Sequence, residues 1–372
     1  MRWSVLAAAM AMMAVPALAQ KPGQVLTERR LPKNPQDAAA VKKMARWTEG
    51  RIVPGAVWND ENGKPIQAHG GGILKYAAYW YWFGEDRTRL EDDPTRDPAK
   101  RYVHVYKSKD LIHWENRGVA LAMAEPEDVR AAQGGRWVLE RPKVFRILKP
   151  KTGAPKFVMY MHLDAGGRGY NMAEVGVAVS DKIEGPYRFV KHFRPLGKES
   201  RDIGQFVDDD AHNYLIFESR PSKGFYIARL SDDGMDVSEV GFVHAPLEGG
   251  AIVHYEGLYY VLGSHLTGWA PNPNVYATST SLVGPWSEFK DVAPPETNTY
   301  ATQSSMLIKV TGTKRTAVIY VGDRWEPETL WDSRYVWMPV EIGNGVMRLP
   351  EPRPWTIDVV TGVVKAMPPY EK

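Results

Sequence analysis

Beyond Arg51, short apolar runs alternate with polar turns along the whole chain. The runs are rich in Val, Ile, Tyr, Phe and Trp, and the turns are rich in Gly, Asp, Asn and Pro. Long helical periodicity is nearly absent, and this alternation is typical of β-strands. The clearest runs are residues 73–83, 102–108, 156–162, 175–180, 214–218, 225–230, 258–264 and 317–321. The pattern predicts an all-β domain.

The N-terminus follows a different pattern. A positive charge at Arg2 precedes an almost uninterrupted run of Ala, Met, Leu and Val over residues 5–15, and Ala17-Leu18-Ala19 is a small-x-small cleavage site. These features predict a signal peptide over residues 1–19 and export to the periplasm or the medium. The apolar run is too short for a stable membrane span. An uncleaved anchor or a buried helix is the alternative.

The stretch between the signal peptide and the β-rich region is polar and contains proline. Residues 20–50 include a helical pattern over 36–48, and we expect an arm that packs on the following domain. The predicted organisation is therefore a signal peptide at 1–19, an N-terminal arm at 20–50 and one large domain at 51–372.

A weak internal repeat narrows the fold within the all-β class. Residues 105–114, 177–187 and 276–286 each contain a strand, a turn rich in Ser or Asp, and an aromatic residue near the next strand, and residues 227–237 form a looser copy. Repeated units of roughly 45–70 residues with several strands each are typical of propeller blades. A β-sandwich would leave the repeat unexplained. We predict a five-bladed β-propeller with a short N-terminal arm.

Composition excludes several classes of function. The net charge is +3 with 24% charged residues, and no basic run suits a nucleic acid or a membrane surface. Cysteine is absent, which excludes disulfides, cysteine nucleophiles and thiolate metal sites. The 13 Trp and 18 Tyr outnumber the 10 Phe, and their flat faces suit sugar rings. Ordinary strand packing is the alternative use of these aromatics.

Three acidic residues stand where predicted blades begin. Glu140, Asp202 and Glu248 each precede or enter a strand-like run. The innermost strands of a propeller surround a central channel, so one acid per blade would converge on the axis. Paired carboxylates suit glycoside hydrolysis, in which one donates a proton and the other activates water or attacks the sugar. Crowded like charges raise one pKa and keep that acid protonated.

Six short segments carry a resemblance to a known family. They are residues 66–74 (IQAHGGGIL), 79–85 (YWYWFGE), 140–144 (ERPKV), 200–202 (SRD), 267–272 (TGWAPN) and 322–325 (GDRW). In this order they resemble glycoside hydrolase family 43, and most closely its exo-β-1,3-galactanase-like branch. The resemblance implies a five-bladed propeller enzyme that inverts the anomeric centre.

The resemblance also implies roles for two of the acids. Glu248 occupies the place of the family's general acid, although the following Gly249-Gly250 lacks the proline that usually comes next. Asp202 matches the aspartate that tunes the pKa of the acid, since it stands ahead of a Phe-x-Asp-Asp-Asp segment at residues 206–210.

The implied water-activating group is unusual. Residues 68–70 read Ala-His-Gly, so the first-blade aspartate that most of the family uses as base is missing. The galactanase-like branch is thought to use a glutamine instead, with an imidic form as one option, assisted by a second-blade glutamate. Gln303 and Glu140 match these two positions. Glu140 could instead hold the water or contact a sugar hydroxyl.

Five further residues are substrate-binding candidates, each with a structural alternative. His69 either lines the funnel floor or makes a structural hydrogen bond. Glu85 either contacts substrate or pairs with a buried arginine. Glu218 is a secondary acid candidate at a strand end. Trp269 and Trp325 either stack on sugar rings or pack between blades.

No organic cofactor or catalytic metal is expected. Asp208-Asp209-Asp210 resembles a calcium loop but lacks the spaced ligands and closing Glu of an EF-hand, which favours a β-turn over a structural calcium site. The histidines at 113, 162 and 265 are scattered singly and form no zinc motif.

Taken together, the sequence predicts an exported, inverting, exo-acting glycosidase on galactose-containing polysaccharide. Glu248 would donate the proton, Asp202 would tune it, and Gln303 with Glu140 would position the water. A catalytically silent sugar-binding propeller and a family 43-like β-xylosidase or α-L-arabinofuranosidase are the alternatives. The expected partner is carbohydrate, and the oligomeric state stays open.

Overall fold

The structure is a computed structural model, and it describes residues 50–129, 137–148, 150, 153–165 and 170–367. The predicted signal peptide and, except for its last residue, the predicted arm lie outside these ranges. Within the described ranges, no helix combines the length and the apolar character that a membrane crossing requires.

Five antiparallel sheets of three or four strands, together with two two-stranded hairpins, make up the described part of the domain, and in each sheet the strands follow one another in chain order. Blade 1 contains β1 (His69–Tyr76), β2 (Tyr79–Glu85), β3 (Lys100–Ser108) and β4 (Glu115–Ala124). Blade 2 contains β5 (Val138–Arg146), β6 (Phe157–Asp164), β7 (Glu174–Ser180) and β8 (Arg188–Phe193). Blade 3 contains β9 (Ile203–Val207), β10 (Asn213–Ser219), β11 (Gly224–Leu230) and β12 (Val237–Val243).

The last two blades are followed by two small hairpins. Blade 4 contains β13 (Leu247–Tyr255), β14 (Leu258–His265), β15 (Val275–Ser279) and β16 (Lys290–Asp291). Blade 5 has three strands, β17 (Gln303–Thr311), β18 (Thr316–Arg324) and β19 (Arg334–Pro339). The hairpins pair β20 (Glu341–Gly343) with β21 (Val346–Arg348) and β22 (Trp355–Asp358) with β23 (Val363–Ala366).

The first strands of the five blades form a closed ring. β1 contacts β5, β5 contacts β9, β9 contacts β13, β13 contacts β17, and β17 contacts β1. The predicted five-bladed β-propeller is therefore confirmed.

One predicted strand is in fact two. The apolar run at residues 73–83 is a hairpin in which β1 ends at Tyr76, β2 begins at Tyr79, and these two residues pair. The turn contains Ala77 in a left-handed conformation at φ 53°. Because no Gly, Asn, Asp or Pro marks this turn, the apolar pattern conceals it.

The internal repeat marks the connection from the third to the fourth strand of a blade. In blades 1 to 4 a serine in this connection accepts hydrogen bonds from backbone N–H groups a few residues further on. Such local side-chain caps stabilise tight turns, which explains why Ser recurs at this point. The four capping serines are Ser108, Ser180, Ser231 and Ser279.

The seam between the first and last blades is closed by backbone pairing and by tryptophans. Ile52 and Trp355 exchange two backbone hydrogen bonds of 2.7 and 3.0 Å. Around Trp82, ring centroids lie 5.7 Å from Trp58 and 4.7 Å from Trp337. Most of the Trp and Tyr side chains that seemed suited to sugar binding therefore pack in the hydrophobic core. This seam cluster contains Trp58, Trp80, Trp82, Trp114, Trp337 and Trp355.

Candidate active site

The predicted site residues stand at the starts of the inner strands. His69 and Gln303 are the first residues of their strands, Glu248 is the second, and Asp202 directly precedes β9. Because inner strands run in the same direction around the axis, these starts meet at one face. A cavity of about 240 Å³ lies there, and Glu140, Asp202, Glu248 and Gln303 all line it.

A β-bulge interrupts four of the five inner strands just past these side chains. Pairing is irregular between His69 and Gly72, Glu140 and Lys143, Glu248 and Ala251, and Ser304 and Met306. Bulges bend a strand and redirect side chains, and they are common beside active sites. Three of the bulges contain a residue with positive φ, namely Gly70 (56°), Arg141 (50°) and Gly249 (63°).

The bulge after Glu248 explains the Gly-Gly pair that replaces the family's proline. The N–H of Gly249 donates a 3.0 Å hydrogen bond to Asp202 Oδ2, and its carbonyl accepts one from the Ser304 hydroxyl. The positive φ of Gly249 is readily adopted only by glycine. Hydrogen bonds to two neighbouring blades thus replace the rigidity that a proline ring would give to the Glu248 backbone.

Replacement of Gly249 by Ala should therefore lower catalysis. A Cβ at this position would lie 2.8 Å from the Ser304 carbonyl oxygen, so the bulge must shift and turn Glu248. We expect kcat to fall by about tenfold or more, with a smaller change in thermal stability than in activity.

Gly257→Ala is the matched control. Gly257 has a similar φ of 78° in the turn between β13 and β14, but its Cβ would meet nothing within 4 Å. Both variants place an alanine at a positive φ and so have a similar conformational cost. Only Gly249→Ala brings a Cβ into close contact with a residue of the site. Equal kcat values for the two variants would contradict the role of the bulge.

Glu248 is the carboxyl most suited to donate a proton. It is 5% exposed, and burial together with the charges of Asp202 and Glu218 raises its pKa to about 8. Its Oε1 accepts a 3.0 Å hydrogen bond from Gln303 Nε2, and its Oε2 lies 3.6 Å from Arg220 Nη2. A carboxyl in this setting keeps its proton at neutral pH.

Both the oxygen and the nitrogen of the Gln303 amide have two hydrogen-bond partners each. Its Oε1 accepts from the Arg141 guanidinium and, at 3.0 Å, from Trp325 Nε1, both of which are donors only. Its Nε2 donates to Glu248 and to Ser264 Oγ at 3.2 Å. The oxygen therefore faces two donors, and the nitrogen faces two oxygen atoms that can accept.

Arg141 links the elements that surround the acid. Its Nη2 lies 2.9 Å from Asp202 Oδ2 and also donates to Gln303, and its Nη1 donates to the Ser304 carbonyl at 3.1 Å. The residue is 4% exposed, so these contacts form in a poorly hydrated setting where charge-assisted hydrogen bonds are strong. Arg141 thereby balances the negative charge of Asp202 and orients the amide of Gln303.

Glu140 differs from Glu248 in its state of charge. Burial alone would raise its pKa, but the hydrogen bond and charge of His162, followed by the charge of Arg87, lower that pKa to about 2. Tyr170 also donates a 2.9 Å hydrogen bond to its Oε1. Among the carboxyls that line the cavity, Glu248 thus keeps its proton while Glu140 is ionised, the combination that acid–base catalysis of hydrolysis needs.

Glu85 lies at the cavity wall in an arginine pair. Its Oε2 accepts from Arg87 Nε at 3.0 Å, and its Oε1 accepts from the N–H of Arg141 at 2.9 Å. Burial raises its pKa, although the charge of Arg87 opposes that shift. These contacts match the buried-pair alternative, and the residue still lines the cavity.

Two other candidates do not line the described cavity. Glu218 is 2% exposed and binds Arg220 Nε at 3.1 Å, and its effect on the site is electrostatic, through Glu248. His69 is fully buried, stacks on Tyr335 with a centroid distance of 5.0 Å, and has a pKa lowered to about 3 by burial and by Arg87. Its placement matches the structural alternative and leaves no surface for a sugar.

Trp269 and Trp325 form the aromatic wall of the cavity. Their rings pack edge to face with centroids 5.4 Å apart, and Trp269 is 42% exposed. Both also line an adjoining cavity of about 230 Å³. Exposed indole faces beside carboxylates suit the apolar face of a sugar ring.

Sequence reasoning missed five polar residues that line the cavity. Arg141 follows Glu140 and Arg201 precedes Asp202 in motifs that the sequence analysis quotes, so both were detectable. The other three come from loops or from the second strand of blade 2, and only three-dimensional pairing brings them to the site. The five are Arg141, His162, Tyr170, Arg201 and Arg220.

The segment at Asp208–Asp210 forms a turn between β9 and β10, at the end of β9 remote from the cavity. Asp208 exchanges backbone hydrogen bonds with Ala211 and His212. Ligand atoms of Asp208, Asp209 and His254 come within 4.8 Å of one another, but Lys309 Nζ already lies 2.7 Å from Asp209 Oδ1. The ammonium supplies the positive charge of this cluster, in keeping with the β-turn interpretation.

Comparison with known proteins places this site in a family. Residues 93–325 match the profile of glycosyl hydrolases family 43. The chain belongs to glycosyl hydrolase family 43. The matched region runs from the loop before β3 of blade 1 to the end of β18 in blade 5 and includes all four acid–base candidates. The resemblance inferred from the sequence motifs is confirmed.

Family 43 members of the galactanase branch are similar over most of the chain. An exo-β-1,3-galactanase from Phanerochaete chrysosporium, solved with β-1,3-galactotriose, is 35% identical with a TM-score of 0.74, covering 85% of this chain and 70% of that one. One from Clostridium thermocellum is 31% identical with a TM-score of 0.73, covering 87% and 70%.

A more distant relative has a different named substrate. The extracellular endo-α-(1→5)-L-arabinanase of Thermotoga petrophila is 24% identical over 225 residues. The match covers 50% of this chain, and the chain spans 42% of the length of that curated relative.

Proposed function

We propose that the protein is an exported, inverting glycosidase that releases galactose from the ends of β-1,3-linked galactans, with Glu248 as general acid. One observation carries the proposal: the buried Glu248 carboxyl has a pKa raised to about 8 and faces a cavity that also contains the ionised Glu140. The similarity to two exo-β-1,3-galactanases supports galactan as the substrate.

In the proposed reaction, Glu248 transfers its proton to the glycosidic oxygen as the bond from that oxygen to the anomeric carbon breaks. A water molecule attacks the anomeric carbon from the opposite face, and Glu140 accepts the proton that this water loses. The configuration inverts in one step. Exchange with solvent afterwards reprotonates Glu248 and deprotonates Glu140, which restores the starting state.

We assign Gln303 to the acid side of this reaction. Its Nε2 hydrogens are directed at Glu248 and Ser264, and its oxygen faces two donors, so the resting site offers no amide lone pair to a water molecule. An imidic form would need a hydroxyl hydrogen where Arg141 and Trp325 already donate. Gln303 thus orients the proton donor, and Glu140 accepts the proton from the attacking water.

Action at chain ends is supported by the similarity to two exo-β-1,3-galactanases. The cavity encloses about 240 Å³ and adjoins a second cavity of about 230 Å³ that shares Trp269, Gln303 and Trp325 with it. The indoles of Trp269 and Trp325 would hold the next unit at the rim.

Export belongs to the same proposal. It rests on the signal-peptide pattern of residues 1–19 and on an arabinanase relative named as extracellular. Galactans are polymers found outside the cell, so an enzyme that degrades them needs to be exported.

The test is product analysis with a panel of substrates. We expect galactose from β-1,3-galactooligosaccharides, with the α-anomer appearing first in proton NMR spectra because inversion converts a β-linkage to an α-product. Aryl β-xylosides and aryl α-L-arabinofuranosides should be poor substrates. A β-anomer as the first product would contradict inversion. Binding without any sugar release would instead identify a silent sugar-binding propeller.

A further inference from the structure

A buried histidine links the ionised glutamate to a second carboxylate. His162 lies opposite Glu140 in the pairing of β5 with β6 and is 1% exposed. Its Nδ1 lies 3.2 Å from Glu140 Oε2, and its Nε2 lies 3.3 Å from Asp164 Oδ2. The three side chains form a continuous chain of hydrogen bonds that reaches the cavity wall.

The far end of this chain is a buried carboxyl group that the backbone holds in place. Asp164 is 0% exposed and accepts three backbone hydrogen bonds of 3.0 Å, from Ala165, Met172 and Ala173. The bonds from Met172 and Ala173 form close to Tyr170, the other hydrogen-bond donor to Glu140.

Two carboxylates on one imidazole determine its protonation state. A neutral imidazole has one N–H, so one of its nitrogens would direct a lone pair at a carboxylate oxygen. An imidazolium donates to both. Burial alone would lower the pKa of His162, but the hydrogen bonds to Asp164 and Glu140 outweigh it and raise that pKa to about 9.

We propose that His162 is a positioning residue whose imidazolium, anchored by Asp164, keeps Glu140 ionised and aimed at the attacking water. The inference rests on the proposed role of Glu140 and adds a Glu140–His162–Asp164 relay to it. In this inference His162 acts through Glu140.

The other groups that face Glu140 do not replace this function. The guanidinium of Arg87 lies 3.9 Å from Glu140 Oε1 and is committed to Glu85 through two hydrogen bonds. Glu85 adds a negative charge that would favour protonation of Glu140. Tyr170 is a neutral donor. His162 therefore supplies the closest positive charge, and it does so from inside the blade.

The first test is the pH dependence of His162→Gln. Glutamine can still donate to Glu140 but carries no charge, so the pKa of Glu140 should rise under the influence of burial and of Glu85. We expect the acid limb of kcat/KM to move upward by about two pH units, while the alkaline limb, set by Glu248, stays in place. A uniform loss of activity at every pH would indicate a merely structural role and overturn the inference.

His192→Gln is the matched control. His192, on β8, also lies between two carboxylates, those of Glu174 on β7 and of Asp128. None of these three residues lines the cavity. Its replacement should leave both limbs of the pH profile unchanged.

The second test does not depend on a folded His162 variant. In NMR spectra of the protein labelled at histidine, His162 should remain imidazolium to about pH 8, and Glu140→Gln should lower its pKa. A neutral His162 at pH 7 in an active enzyme overturns this inference and leaves the proposed function intact. If the wild type hydrolyses no glycoside of the panel, the proposed function fails, and the catalytic role of His162 fails with it.

Discussion

Replacement of Glu248 by Gln is expected to reduce galactose release by about 10³-fold while leaving the protein folded. The amide has the same shape and can still accept from Gln303 Nε2, but it has no acidic proton for the glycosidic oxygen. Because the binding surface is unchanged, the dissociation constant for β-1,3-galactotriose should stay within a few-fold. Initial rates and calorimetric titration measure the two quantities.

The leaving group provides a control within the same variant. An aryl galactoside with an acidic leaving group needs little proton donation, so Glu248→Gln should lose much less activity on it than on the oligosaccharide. Glu239→Gln, an exposed change on β12, should behave as the wild type. Full activity of Glu248→Gln on galactooligosaccharides would refute the assignment of the acid.

Replacement of Asp202 by Asn should shift the alkaline limb of kcat/KM toward lower pH. The pKa of Glu248 is raised first by burial and then by the charge of Asp202, so removal of that charge lowers it, by roughly one unit or more. The acid works only when protonated. Activity should therefore fall about tenfold near pH 8 and stay close to wild type near pH 5, provided that the amide oxygen of the new side chain still accepts from the N–H of Gly249.

Asp291→Asn, an exposed change on β16, is the control for loss of one negative charge. It should leave the alkaline limb in place. An unchanged limb in Asp202→Asn would show that burial alone maintains the proton on Glu248, and an equal loss at all pH values would point to a misplaced Arg141 instead.

The fold was predictable from local patterns that have a direct physical cause. Alternating apolar runs predicted the strands, and the serine-capped turns at Ser108, Ser180 and Ser279 predicted the blades, because each cap forms within a few residues. The hairpin at Ala77 was missed because its turn uses a left-handed alanine rather than a glycine. Turns that lack the usual residues leave no signal in the hydrophobic pattern.

Sequence patterns could predict a site residue only where that residue stands at the start of an inner strand. Glu140, Asp202 and Glu248 were predicted from that position and Gln303 from the family resemblance, and circular symmetry brings all four into one cavity. His162 comes from a second strand, and its place beside Glu140 depends on the register between β5 and β6. A bulge shifts that register, so strand spacing alone could not have paired the two residues.

The constraint on the backbone after Glu248 was equally hidden from the sequence. Gly249-Gly250 lacks the family's proline, and the backbone is held instead by hydrogen bonds to Asp202 and Ser304 on neighbouring blades. Long-range hydrogen bonds of this kind cannot be inferred from a motif.

The tryptophan seam has a consequence for how this protein can be observed in solution. Trp58, Trp82 and Trp337 lie within 6 Å of one another across the junction of the first and last blades, whereas Trp269 and Trp325 form the wall of the cavity. Indole emission therefore includes a contribution from a shielded seam group and one from a pair at the cavity. Quenching of tryptophan fluorescence by a bound sugar would report on the pair at the cavity. A red shift in the emission of the seam tryptophans would report that the first and last blades have separated.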